Sequence, residues 1–397
     1  MTGSMATSGA LRGLRVVECG EMVSASYAAK LMADLGADVI KVEPPEGDAS
    51  RRRGPYPRGM EGHVDASGLF IYLNSNKRGV TLKLEHEADR GELLALLDDA
   101  DVFIHNLTTK DITRLDLAYD LLADRLPRLV YTSVTPFGLT GPHADWAAEN
   151  LTVVAAGGWA SVTPGNSPYA DLPPLKAFGA QADFQAAAHA AVATMGALFA
   201  RRLTGRGQLV EVSAQECIAA ALELALVTYT YTGRVASRLG IRTSAPMEIM
   251  ECKDGLIFVM TADPHQWDAF VHMMGDPDWA SWEIFDDRFK RGENRDALRP
   301  LIEAWLLEHT VEEVFDMAGE ARLPFAPVSN IADLIDSPHL KARGFFVTTR
   351  HPVAGEVTMP GAPYVLPDTP WSLRSPAPTL GQHNDEVLAK YRPEVRA

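Results

Sequence analysis

Short β-branched segments alternate with longer Ala- and Leu-rich ones from residue 14 onward, and that alternation restricts the fold more than any other feature. Leu14–Cys19 and Asp38–Val42 have the composition of buried strands, and Ser26–Leu35 between them has that of a helix. Strands joined through a helix run parallel, because a crossover returns the chain to the same end of the sheet. The pattern then repeats: Val80–Leu84 predicts a strand, Glu87–Asp98 a helix and Val102–His105 a strand. Helical pieces at Lys110–Leu115 and Asp120–Arg125 precede a further strand at Leu129–Val134. We therefore expect an α/β fold, with a Rossmann-like large domain on a parallel sheet and a smaller α+β domain.

Beyond Phe137–Pro142 (FGLTGP) the sequence is irregular and rich in Gly and Pro to about Gln181. Phe184–Arg202 predicts a long Ala-rich helix that stops at Thr204-Gly-Arg-Gly207, where glycine follows basic residues. Gln208–Val212 predicts another strand and Gln215–Tyr231 a single apolar helix. A polar, Pro- and Ser-containing stretch from Arg234 to Glu251 marks a boundary. The expected division is a large domain at residues 1–234, a small one at 235–330, and a linker and C-terminal segment at 331–397 that returns to the large domain. Within the later part, Leu256–Thr261 predicts a strand, Val311–Ala318 an amphipathic helix and Pro352–Pro367 strand and turn. Asp368–Lys390 has too few β-branched residues for a core strand and reads as a tail laid over another surface.

With 397 residues and 46% hydrophobic content the chain can bury more than one core. No apolar run approaches the roughly 20 residues of a membrane helix, and Met1–Ala10 lacks a leader's charged and apolar regions, so a cytoplasmic location is expected. Cys19, Cys217 and Cys252 lie far apart without metal-ligand spacing, which predicts neither disulfide nor zinc, and no metal is expected elsewhere. A net charge of −15 opposes nucleic acid as a partner. It leaves room for an anionic cofactor, since a few local cations can hold a phosphate. The first βαβ unit ends in Glu43 like a dinucleotide fold, yet Cys19–Ser26 (CGEMVSAS) lacks the GxGxxG through which backbone approaches a pyrophosphate. A nicotinamide enzyme is therefore not expected. GxSxG, P-loop, HExxH and EF-hand motifs are absent as well.

Six segments stand in a distinctive order. They are Leu31–Glu43 with Gly47-Asp48 and Arg51, Leu73–Arg78 (LNSNKR), Asp101–Asn106 with Arg114-Leu115, Phe137–Pro142, Thr204–Gln208 and Leu380–Val387. In this order and spacing the chain resembles the family III CoA-transferases, which include formyl-CoA transferase, carnitine CoA-transferase and α-methylacyl-CoA racemases. The resemblance covers nearly the whole sequence. It implies coenzyme A as co-substrate, acyl-CoA and carboxylic acid substrates, and an interlocked homodimer. It also implies a chemistry: a carboxylate attacks the thioester carbonyl, giving an acyl anhydride and CoA thiolate, and the thiolate converts this to an aspartyl-CoA thioester.

The position matching the family's nucleophile is Asp183, in Gly179-Ala-Gln-Ala-Asp183. Read from the residues alone, an Asp before an Ala-rich helix is an N-cap, and the two roles are compatible because a helix N-terminus stabilises a carboxylate. Glu149 alone reads as a surface acid at a loop end. The resemblance sets it beside the nucleophile, where formyl-CoA transferases have Glu followed by Asn and the racemases have His, so Glu149-Asn150 sides with transfer. The resemblance further assigns Asn76, Lys77 and Arg78 to the nucleotide phosphates, and Asn106, Leu107, Arg114 and Leu115 to the adenosine and pantetheine path. Taken singly, each of these cations is an ordinary solvated residue.

Departures from the family pattern also matter. Ser24-Ala25-Ser26 stands where many members have Ala-Gly-Pro, Val23 replaces a Gln near the reacting carbonyl, and no multi-glycine loop lies between Thr232 and Gly255. Formate or oxalate chemistry is accordingly not expected. Trp159, Tyr169 and Phe178 suit a larger apolar acyl group or, equally, local packing. His63 and His189 have no visible partner and read as ordinary residues. Two alternatives stay open: a 2-methylacyl-CoA racemase or epimerase using Asp183 with Glu149, and a non-catalytic acyl-CoA-binding protein.

Overall fold

The computed structural model describes residues 9–163, 172–238 and 246–391. These divide into two compact units, with boundaries after Ala160, Leu175, Val227 and Ala342. Ser161–Leu175 belongs with Thr228–Ala342, a membership that no local composition signals.

The first unit is built on strands β1 (Arg15–Cys19), β2 (Asp38–Glu43), β3 (Lys77–Thr81), β4 (Val102–His105), β5 (Val130–Thr135) and β6 (Leu209–Ser213). Its helices are α1 (Ser24–Asp34), α2 (Gly68–Asn74), α3 (Glu87–Asp98), α4 (Thr109–Arg114), α5 (Tyr119–Ala123), α6 (Asn150–Ala156), α7 (Trp159–Val162, which crosses the boundary after Ala160), α8 (Gln181–Thr204) and α9 (Ala214–Ala220). All six strands are parallel, in the order β3-β2-β1-β4-β5-β6. The chain thus begins mid-sheet, runs outward to β3, and crosses back to β4 on the other side of β1. Between the carboxyl ends of β1 and β4 the connections diverge and leave a crevice, the usual ligand site of an open parallel sheet.

Each face of the sheet carries its own core. On one, Ala25, Ala28, Ala29 and Ala33 of α1 and Ala182, Ala186, Ala187 and Ala190 of α8 are fully buried with Val16, Ile104 and Val130. Small side chains let α1 and α8 approach closely, which explains the Ala-rich composition. On the other, Leu93, Leu96 and Leu97 of α3 pack on Val17, Ile40, Phe103 and Tyr131.

The expected single helix from Gln215 is two, α9 and a second at Glu223–Thr232. The chain turns between them, where Leu222 packs so close to Gly158 that a Cβ there would lie 2.7 Å from Leu222 Cδ1. A hairpin pairs Phe346–His351 with Gly355–Pro360; its second strand falls within the strand and turn expected at Pro352–Pro367, and its first strand lies just before that stretch. The tail that follows covers the edge strand β3. His383 N donates to Gly79 O at 2.9 Å, and Asn384 Oδ1 accepts from Thr81 N at 2.8 Å, so edge groups that would otherwise be unpaired find partners.

A buried ionic network ties β1, β2, β3 and the loop after β2 together. Glu18, Lys41 and Arg51 are fully buried and Lys77 nearly so. Glu18 accepts from Lys41 at 2.7 Å and from Lys77 at 2.6 Å, and Lys41 also pairs with Asp48 at 2.8 Å. Arg51 grips both Glu43 oxygens, at 2.6 and 2.8 Å, and pairs with Asp65 at 2.8 Å. Within the segment Leu31–Glu43 with Asp48 and Arg51, Lys41 thus pairs with Asp48 and Glu43 with Arg51, while Asp34 and Asp38 pair outside it with Lys30 and Arg78.

The second unit has an antiparallel sheet of Met247–Glu251, Leu256–Met260 and Ala326–Pro327. Phe270, Phe285, Ile302, Leu306 and Val314 fill its core. The amphipathic helix expected at Val311–Ala318 runs from Val311 to Glu320. Among the described residues no helix is long and apolar enough to cross a membrane.

Candidate active site

A cavity of about 720 Å³ opens at the carboxyl ends of the strands in the first unit. Its floor includes Cys19 and Gly20 at the end of β1, Asn106–Thr109 after β4, and Thr135-Pro136 at the end of β5; Asp183, Glu149 and Asn150 line its wall.

The turn after β1 is held from three directions. Lys41 Nζ donates to Gly20 O at 3.0 Å, and Asp48 Oδ1 accepts from Met22 N at 3.0 Å, which fixes Met22 in the left-handed region at φ 58°. Asn106 completes the clamp. Its Oδ1 accepts from Glu21 N at 3.0 Å, and its Nδ2 donates to Glu21 O at 2.8 Å and Ser24 Oγ at 3.0 Å. Glycine is required at position 20, because a Cβ there would meet Asn106 Oδ1 at 2.5 Å. The buried ionic network thus shapes the cavity floor through Gly20 and Met22, and its Glu43 also belongs to the lining.

Asp183 is not an N-cap. Ala180 occupies that position, and Asp183 lies in the first turn of α8, half-buried. Its Oδ2 accepts from Asn150 Nδ2 at 3.0 Å. Burial raises its carboxyl above the ordinary aspartate value; the Asn150 bond works against this, the Glu149 charge adds to it and Lys176 opposes it. Glu149 is exposed at the N-cap of α6, its N–H donating to Thr152 Oγ1 at 3.4 Å. It neighbours Asp183 through charge. Asn150, which sequence reasoning used only as a marker, is the residue that bonds the carboxylate.

Of the residues assigned to CoA, Asn106, Leu107, Arg114 and Leu115 all line this cavity. The Asn106 amide is consumed by the turn it clamps. Arg114 pairs with Asp111 at 2.9 Å and Glu85 at 3.4 Å on an exposed surface, whereas the neighbouring Lys110 makes no ion pair among the described residues. Lys110 and Trp146 belong to the lining too, and sequence reasoning passed over both.

The structure does not bring Asn76, Lys77 or Arg78 to the cavity. They stand at the start of β3, and in a parallel sheet that is the end opposite to the carboxyl ends where the cavity lies. Asn76 donates to Asp34 at 2.7 Å and accepts from the Arg374 and Ser375 N–H groups at 2.6 and 3.1 Å. Lys77 is buried against Glu18, and Arg78 pairs with Asp38 at 2.7 Å and Glu386 at 3.0 Å. Trp159 packs against the core and Phe178 is 98% exposed, so neither lines the cavity. Tyr169 lies outside the described residues. His63 accepts from Asp65 N at 3.2 Å, and His189 sits 2.9 Å from Gln185 O on the exposed side of α8.

Fold and cavity together define an α/β protein with a cavity at the carboxyl ends of a parallel sheet. The family model described as CoA-transferase family III matches residues 11–384. The succinyl-CoA:(R)-benzylsuccinate CoA-transferase subunit BbsE of Thauera aromatica is 35% identical, over 92% of this chain and 90% of its own. The succinyl-CoA:mesaconate CoA-transferase of Haloarcula marismortui is 32% identical, over 96% of each chain. Among solved structures, a CAIB/BAIF family protein from Brucella suis superposes with a TM-score of 0.86 at 28% identity, covering 97% of this chain and 100% of its own. The chain belongs to CoA-transferase family III and is a CoA-transferase enzyme.

Proposed function

We propose that this enzyme moves CoA from an acyl-CoA to a carboxylic acid with Asp183 as its nucleophile. The observation that carries the reading is a half-buried carboxylate, held by one amide, on the wall of a cavity that also presents Arg114 and Lys110. Asp183 attacks the thioester carbon and expels CoA thiolate, leaving an acyl-aspartyl anhydride. The thiolate attacks the aspartyl carbonyl and releases the donor acid. The acceptor carboxylate then attacks the aspartyl-CoA thioester, and the returning thiolate takes the new acyl group and frees Asp183. Lys110 and Arg114 suit the phosphates of CoA, with Leu107 and Leu115 along the arm. Both relatives described above are named for succinyl-CoA, which supports a dicarboxylic acyl donor.

Hydroxylamine trapping tests the reading. After incubation with succinyl-CoA, mass spectrometry is expected to find a hydroxamate at Asp183; turnover without any adduct there would overturn it. Among the described residues no histidine lines the cavity, which supports transfer over racemisation. Incorporation of solvent deuterium at the α-carbon of a 2-methylacyl-CoA, with no acceptor acid present, would reverse that preference.

The raised carboxyl of Asp183 has a kinetic consequence. The nucleophile must be ionised, so kcat/KM is expected to fall as pH drops, with its acid limb above the ordinary aspartate value. Glu149→Gln removes a like charge and should move that limb to lower pH; an upward movement in the pH–rate profile would contradict the assignment.

We read the strand order as that of a Rossmann-like CoA-binding domain, and the enzyme as a cytoplasmic, interlocked homodimer. Val192, Phe199 and Leu203 support the dimer, as they are 75%, 66% and 82% exposed and recur along one side of α8. Phe199→Asp is expected to convert the dimer to a monomer by light scattering, and an unchanged mass would argue against this face.

A further inference from the structure

The Asn150 amide has two functional ends, and the protein uses one. Nδ2 donates to Asp183 Oδ2 at 3.0 Å, while Oδ1 is buried with no hydrogen-bond partner among the described residues. A buried amide oxygen is costly to leave unmet, so such an atom in a binding cavity marks where a donor belongs. Asn150 and Asp183 line the same cavity, and Asn150 opens α6 rather than lying on a loose loop.

The donor's identity follows from the substrate's chemistry, on the reading that Asp183 attacks the thioester. The acceptor acid is ionised at neutral pH, so its carboxylate offers no hydrogen. The CoA arm does offer one. Two methylenes beyond the thioester sulfur stands its first amide, whose N–H occupies the same place in every acyl-CoA whatever the acyl group. We propose that Asn150 is a positioning residue that accepts this N–H at Oδ1 while its Nδ2 orients the Asp183 carboxylate. One planar amide then couples docking of the arm to alignment of the nucleophile, and thioesters without that N–H are disfavoured at the bond-forming step.

Two small donors isolate the contact in the full-length enzyme: S-succinyl-N-acetylcysteamine, and its analogue in which the amide N–H is replaced by an ester oxygen. The readout is the rate of Asp183 acylation, trapped with hydroxylamine and measured by mass. Wild type is expected to prefer the amide by about tenfold, the loss typical of one unpaired hydrogen-bonding group. Asn150→Ala should acylate slowly and bring the preference close to one. Asn150→Asp keeps an acceptor and loses the donor, so it should acylate slowly yet retain the preference; being nearly isosteric, it carries the test even if the alanine variant does not fold. Equal rates with both donors in wild type, an undiminished preference in Asn150→Ala, or a lost one in Asn150→Asp would each overturn the proposal. An Asp183 that even succinyl-CoA never labels in wild type would instead sink the nucleophile assignment, and this inference with it.

Discussion

Asp183→Asn should lower kcat by at least about three orders of magnitude while leaving affinity for CoA within about threefold. An amide nitrogen in place of the carboxylate cannot form the anhydride, and no second acid in the cavity has the same surroundings. Glu149 is exposed and Glu21 belongs to the clamped turn, whereas Asp183 is half-buried with a dedicated amide donor. The side chain keeps its shape, so the arm of CoA should still dock. Steady-state kinetics with succinyl-CoA, paired with calorimetric titration of CoA, separates the two effects. A loss in kcat of less than tenfold would mean that another group performs the chemistry.

Glu18→Ala should have the largest effect on stability. It strips Lys41 of one partner and leaves Lys77 buried without a carboxylate, a situation that costs about 3–5 kcal/mol. For the unit that contains it, the melting temperature should drop by on the order of ten degrees. The pH dependence has a definite sign. Burial opposes ionisation of Glu18, but the Lys41 and Lys77 ammoniums outweigh it and hold the carboxyl below the ordinary glutamate value. Its stabilising contribution is complete above that ordinary value and is lost as pH falls through the depressed one. The gap between wild type and Glu18→Gln in thermal melts should therefore narrow on acidification, and a gap that widens would show that Glu18 is not the ionised hub. Because Lys41 also holds Gly20 and Asp48 holds Met22, damage to this network should reach the cavity floor as well.

The residues assigned from sequence divide according to which end of the sheet they occupy. Asn106 and Leu107 follow β4, Arg114 and Leu115 end α4, Glu149 and Asp183 stand at the starts of α6 and α8, and the cavity at the carboxyl ends gathers all six. Lys77 and Arg78 begin β3, and parallel pairing sends them to the far end of the sheet. A motif read as a string of cations carries no record of that polarity. The distinctive segment through Glu43, Asp48 and Arg51 was equally legible as a family mark, and equally silent about its role as a buried network.

What the sequence determined by itself is the kind of sheet: alternating strand and helix segments demand parallel strands, and the first turn of a long Ala-rich helix, with Asp183 in it, falls near their carboxyl ends. Tertiary structure alone decided that Asn150 meets Asp183 across 33 residues of sequence, that the Asn106 amide is spent on the Gly20–Ser24 turn, and that Gln215–Tyr231 breaks in two. The physical reason is common to all three. Periodicity reports which side of a segment is buried, whereas a side chain's partner depends on where loops from distant strands converge, and strand order sets that convergence.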